Sequence, residues 1–146
     1  MNLLAGVRIG IGCLFIISGL GKLLEPYQNF LYVVQSYNFL PMWAEDFAAR
    51  LVPWLEFFLG VFLGMGLWLE WTLKVSLALT TAFIGILSQA IIRALPIYKC
   101  GCFGEFLSIP LPFMILIDSS LWLLMVFLLF RLPQTAVFSL DQRCSS

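Results

Sequence analysis

Cys100 and Cys102 stand one glycine apart in the string Lys99-Cys100-Gly101-Cys102-Phe103-Gly104. A thiolate is both a nucleophile and a metal ligand, so this pair can do two kinds of chemistry. It can form a strained, readily reduced disulfide and exchange it with another dithiol, or it can hold a soft ion. Gly101 permits the tight backbone that so small a ring needs. Cysteine also serves as a small buried hydrophobe, and an isolated Cys-x-Cys pair is a weak signal. Here the pair sits among glycines, with Pro96 and Pro110 on either side. That setting reads as a constrained loop and favours chemistry over packing.

The remaining polar inventory is short. The chain has no histidine, which removes His-ligated haem, most zinc sites and imidazole acid–base chemistry. Lys22, Glu56, Arg93 and Asp118 each fall near one end of a long apolar run. Ionisable groups within a membrane are costly and usually face the protein interior or a polar cavity. A cation beside a thiol lowers its pKa, so Lys22, Arg93 or Lys99 could activate Cys100 or Cys102. A carboxyl at Glu56 or Asp118 could move the proton that accompanies thiol–disulfide exchange. The plainer alternative is that Lys22 and Arg93 snorkel to headgroups and that Glu56 and Asp118 pair with them. Arg8 is isolated from this group and reads as snorkelling to the opposite interface. Cys13, in the middle of an apolar run, reads as inert packing.

The elements that must position these residues follow from composition. The chain has 146 residues, 62% hydrophobic and 11% charged, against about 25% charged in ordinary soluble domains. A chain this short cannot hide so much apolar surface in its own core, so its solvent is lipid. The net charge is zero, and without a basic stripe nucleic acid is excluded as a partner.

An apolar helix needs roughly 20 residues to cross the hydrocarbon. Four segments qualify, at about 3–24, 47–69, 71–93 and 111–130. The first lacks the basic leader and small-residue cleavage site of a signal peptide and reads as a retained span. Backbone groups in lipid must be satisfied internally, so these are helices and the fold class is a four-transmembrane-helix bundle in one domain. Spans two and three meet in a tight hairpin around Trp68-Leu69-Glu70-Trp71. In the first connection, Tyr27, Phe30, Leu31, Val34 and Tyr37 recur every three or four residues, the period of a short interfacial helix, with Pro41 expected to end it. The third connection, 94–110, holds the Cys-Gly-Cys string, and a polar tail follows at 132–146. Gly6/Gly10 and Gly60/Gly64 are small-x-x-x-small pairs suited to close helix contact.

Four crossings put both termini and the tight hairpin on one face. The first and third connections lie on the other, the cysteine face. Arg8, Lys74, Arg131 and Arg143 lie toward the terminal face, and Lys22, Arg50, Arg93 and Lys99 toward the cysteine face. Positive charge is therefore balanced and does not orient the chain. Cys144 falls a membrane thickness from Cys100 and Cys102 and is not paired with them.

The order of motifs resembles a known family. Ser18-Gly19-Leu20-Gly21-Lys22 closes span one, Tyr37-Asn38-Phe39-Leu40-Pro41 follows, Pro53-Trp54-Leu55-Glu56 opens span two, and Cys100-Gly101-Cys102-Phe103-Gly104 precedes span four. Over almost the whole chain this resembles the MauE/DoxX group of redox-associated membrane proteins, in its MauE branch. The resemblance implies a four-helix membrane bundle, related in outline to the vitamin K epoxide reductase type, and periplasmic disulfide chemistry alongside a thioredoxin-like partner. It implies Cys100 and Cys102 as the redox pair, with Lys22 and Glu56 as motif positions. Asp118 matches a polar position near the start of the last helix, where the family often has a basic residue just before and this chain has Ile117.

The leading expectation is a membrane thiol–disulfide redox protein of a bacterial inner membrane. Its Cys-Gly-Cys loop is expected on the extracytoplasmic side, where disulfides persist, and its termini in the cytoplasm. Its catalytic set is Cys100, Cys102, Glu56, Lys22 and Asp118. A quinone could be the second redox partner. One alternative is a non-enzymatic subunit or assembly factor of a larger membrane complex. Another is a soft-metal carrier using the two thiolates, although two ligands are few.

Overall fold

The computed structural model describes residues 3–38, 40–93 and 110–131. These form five helices: α1 (Leu3–Leu24), α2 (Tyr27–Ser36), α3 (Met42–Met65), α4 (Leu69–Ile92) and α5 (Leu111–Phe130). All but α2 are long and apolar enough to cross a membrane, and α2 is the short helix between the first and second spans. The chain is an all-helical, multi-pass membrane protein.

Helix ends follow local chemistry. Proline lacks an N–H and fits a helix start, where that donor would be unsatisfied anyway. Pro26, Pro41 and Pro110 accordingly occupy the caps before α2, α3 and α5. Pro41 therefore begins α3 instead of ending α2. The chain leaves α2 at Ser36, and Asn38 takes a left-handed φ of 45°, which asparagine tolerates better than most residues. α3 starts well before residue 47 because its first turn is polar, with Glu45 beside the electropositive helix N-terminus. It stops at Gly66, whose φ of 70° is left-handed and whose N–H bonds to the Phe62 carbonyl. The hairpin between α3 and α4 is thus turned by Gly66-Leu67-Trp68, one step earlier than the tryptophan pair suggests.

The packing has a simple register. Along α1 the buried residues include Ala5, Arg8, Gly12, Phe15, Gly19 and Lys22; along α3 they include Glu45, Ala49, Pro53, Glu56, Gly60 and Leu63. Steps of three and four keep such residues on one helix face. These two stripes meet each other, and α1–α3 is the most extensive helix pair, followed by α4–α5. A Cβ placed on Gly12 would lie 2.8 Å from the Gly60 carbonyl oxygen, and one on Gly60 would lie 2.7 Å from the Gly12 oxygen. Around Gly6 and Gly10, a Cβ would meet nothing within 4 Å. The close contact is therefore made by Gly12 and Gly19 of α1 and not by the Gly6/Gly10 pair.

Two other expectations change for the same reason. Arg8 lies on the buried stripe at 1% exposure, so it does not snorkel. Cys13 lies one position off the stripe and faces outward, so it does not pack in the core. The main apolar core joins Ile11, Phe15, Leu59, Leu63, Leu69, Leu73, Met125 and Leu128. A smaller cluster of Tyr37, Leu87, Ala90 and Met114 lies toward the cysteine face. Ile17, Phe58, Leu116, Leu123 and Phe127 remain exposed along the spans, a surface that only lipid suits.

Candidate functional site

Lys22 is in the last turn of α1, close enough to the cysteine face to reach headgroups. It points the other way. A helical Cα–Cβ bond tilts toward the helix N-terminus, which directs Lys22 back into the bundle. Glu56, on the antiparallel α3, is tilted toward the cysteine face by the same rule. The two side chains meet, with Lys22 Nζ donating to Glu56 Oε1 and Oε2, each at 2.6 Å. Side-chain exposure is 1% for Lys22 and 3% for Glu56.

Ser18 completes the group one turn before Lys22. Its hydroxyl donates to Glu56 Oε2 at 3.0 Å and accepts from Lys22 Nζ at 3.2 Å. The ammonium also faces two aromatic rings, Phe30 of α2 at 5.2 Å and Phe83 of α4 at 5.3 Å from the ring centroids, within the range of cation–π attraction. A buried ion pair is tolerated when its remaining hydrogen-bonding capacity is met. Here a hydroxyl and two ring faces meet it, and they come from three helices.

Asp118 approaches from α5. It is 8% exposed, and its Oδ2 has no hydrogen-bond partner among the described residues. With Ser18, Glu56, Thr80 and Phe83 it lines a cavity of about 40 Å³. Tyr37, just after α2, is buried nearby, and burial, reinforced by the Asp118 charge, pushes its phenol up to about 12. It therefore remains an O–H donor at physiological pH.

The structure thus brings together Lys22, Glu56 and Asp118 of the residues singled out from sequence. Arg93 stays apart. It is exposed at the end of α4, where its guanidinium donates to the Asn38 carbonyl oxygen at 3.5 Å and faces the Gln89 side-chain amide. Cys100 and Cys102, with Lys99, lie outside the described residues. Their connection leaves α4 after Arg93 and enters α5 at Pro110, at the end of the bundle nearer the charged group. Sequence reasoning missed the roles of Phe30, Phe83 and Thr80, and named Ser18 only as the first residue of the string that closes span one. The spacing of Ser18 to Lys22, one helical turn, was an available signal. Among the described residues, no group of three or more His, Cys, Asp or Glu side chains could hold a metal ion.

A family model described as methylamine utilisation protein MauE matches residues 1–131. No curated protein and no solved structure matches the chain.

Proposed function

We propose, since this chain belongs to the MauE family of membrane proteins, that it is a membrane thiol–disulfide redox protein acting through Cys100 and Cys102. One observation carries the reading. A buried group of Lys22, Glu56 and Asp118 occupies the half of the bundle at which α4 ends and α5 begins, and the two cysteines are in the connection between those ends. Charges buried in a membrane protein are expensive, and this group lies in the half of the bundle where the helices flanking the cysteine connection end and begin.

The exchange is a two-step thiol–disulfide reaction. One thiolate of the pair attacks a partner disulfide, forming a mixed disulfide and releasing one partner thiolate. The second cysteine attacks the mixed disulfide, closing Cys100–Cys102 and releasing the other partner thiolate. Two electrons pass to the partner, and two protons follow onto its thiols. The same steps reversed reduce the pair. The partner is a thioredoxin-like domain or a secreted client on the extracytoplasmic side of a bacterial inner membrane, a compartment that tolerates disulfides.

When the reversed steps have left the pair as a dithiol, a quinone could take two electrons and two protons from it and so restore the Cys100–Cys102 disulfide. The ring-lined apolar pocket between α2 and α4, bounded by Phe30, Val34, Tyr37, Phe83 and Leu87, suits a flat apolar head.

The test is mixed-disulfide trapping in membranes. Of Cys100→Ser and Cys102→Ser, the variant that keeps the attacking thiol should accumulate a reductant-sensitive adduct with the partner. The double variant should give none. An adduct that survives in the double variant overturns the proposal. So does isolation of the chain in a stable complex with unchanged function when both cysteines are replaced, which would make it a non-enzymatic subunit.

A further inference from the structure

The Lys22–Glu56 pair stands between two spaces. Toward the cysteine face, an open pocket of about 270 Å³ is lined by Lys22, Glu25, Tyr27, Arg50, Pro53 and Trp54. Toward the interior, the cavity of about 40 Å³ is lined by Ser18, Glu56, Thr80 and Asp118 among apolar side chains. Lys22 borders the first space, Glu56 borders the second, and the two residues touch. The pair is therefore a thin polar partition, not an isolated structural clip.

The inner cavity has room for water and polar groups that could hold it. About 10–15 Å³ of such volume accommodates one molecule if two or more polar partners are present. Asp118 Oδ2 has no hydrogen bond among the described residues. The Thr80 hydroxyl spends its proton on the Ser76 carbonyl at 2.9 Å, so its oxygen can only accept from the cavity. With all three groups ionised, Lys22 supplies one positive charge and Glu56 and Asp118 two negative ones. The set is one positive charge short in a low-dielectric setting, where an unbalanced charge is costly. The smallest species that can supply that charge in so small a space is a proton.

We propose that Asp118 is an internal proton-binding site, reached from the cysteine face through the open pocket, the Lys22–Glu56 partition and water in the inner cavity. The groups that face Asp118 are Lys22 and Ser18 from α1, Tyr37 after α2, Glu56 from α3, and Thr80 and Phe83 from α4; of these only Lys22, Tyr37 and Glu56 are titratable. Uptake converts the Asp118 carboxylate to the carboxylic acid, and release reverses it. No other bond is made or broken. Use of this proton in thiol–disulfide exchange rests on the function proposed above; the site itself does not.

The test is infrared difference spectroscopy of the full chain in lipid nanodiscs, between acidic and alkaline media, in H2O and in D2O. A protonated-carboxyl C=O band should titrate with the medium, shift in D2O and be lost in Asp118→Asn. Asp118→Glu should restore a titrating band, which separates loss of the site from loss of the fold. Glu56→Gln should keep the band and move its midpoint. A band untouched by Asp118→Asn, or indifferent to the pH of the medium, overturns the proposal. Loss of the band on raising sodium at fixed pH also overturns it, in favour of a metal cation. The Cys100→Ser/Cys102→Ser double variant should keep the band, so failure of thiol exchange and failure of the proton site read out separately.

Discussion

Lys22 sets the residue-scale logic of this protein. A lysine near a helix end in lipid usually extends its stem toward the headgroups, yet this one lies on the buried stripe of α1 and turns inward to Glu56. Removing one partner of a buried pair leaves an uncompensated charge, which costs about 3–5 kcal/mol. Lys22→Met should therefore lower the stability of the protein in micelles by about that amount. Lys22→Met with Glu56→Gln should recover most of the loss, because no lone charge remains. Thermal or denaturant unfolding followed by circular dichroism gives the comparison. Equal losses in the single and double variants would mean that Lys22 contributes packing and not charge. Asp118 differs from this pair, since its Oδ2 has no partner to lose among the described residues. Asp118→Asn should be nearly neutral for stability while it changes proton binding.

At the scale of elements, the α1–α3 pair depends on glycines that let backbones touch. A Cβ on Gly60 would fall 2.7 Å from both the Gly12 oxygen and the Ile16 nitrogen. Backbone cannot yield as a flexible side chain can, and overpacking costs about 1–3 kcal/mol. Gly60→Ala should lower the unfolding midpoint by a corresponding amount, while Gly64→Ala, with nothing within 4 Å of its Cβ, should not. Matching midpoints for the two variants would refute the register described for this pair. The same pair shows what could be read from sequence. Helix number was legible because apolar length is a local property. The start of α3 was not, because Glu45 and Asp46 make its first turn look like a loop. Arg8 and Cys13 were misread, and Gly12 was overlooked in favour of Gly6 and Gly10, because such roles depend on which helix face meets a neighbour. That face was in principle written in the 5, 8, 12, 15, 19, 22 spacing of α1. Lys22, Glu56 and Asp118 were found because charge in an apolar run is conspicuous. Their aromatic and hydroxyl partners were not, because Phe and Thr are unremarkable in a span.

Across the whole molecule, the charged group ties two helix pairs together. α1 packs chiefly on α3 and α4 on α5, and the cavity beside Asp118 is lined by all four of these helices. Lys22 and Glu56 belong to one pair and Asp118 to the other, and Glu56 and Asp118 share the lining of the cavity at the seam. Four crossings place the α1 start and the α5 end on one face. The α4–α5 connection then joins the two helices at the opposite face, and the expectation from sequence that Cys144 lies at the other face from Cys100 and Cys102 falls outside the described residues. Positive charge does not choose between the two orientations, since Lys and Arg are balanced between faces. The function proposed above does: a pair that works as a disulfide belongs where disulfides persist. In intact cells, a membrane-impermeant maleimide should modify Cys100 and Cys102 only after mild reduction. Cys144 should react only once the inner membrane is opened. Cys13, outward-facing in the middle of α1, should not react with the charged reagent in intact or opened cells. Labelling of Cys144 in intact cells would invert the orientation and place the dithiol in a reducing compartment, where a stable Cys100–Cys102 disulfide could not be its resting state.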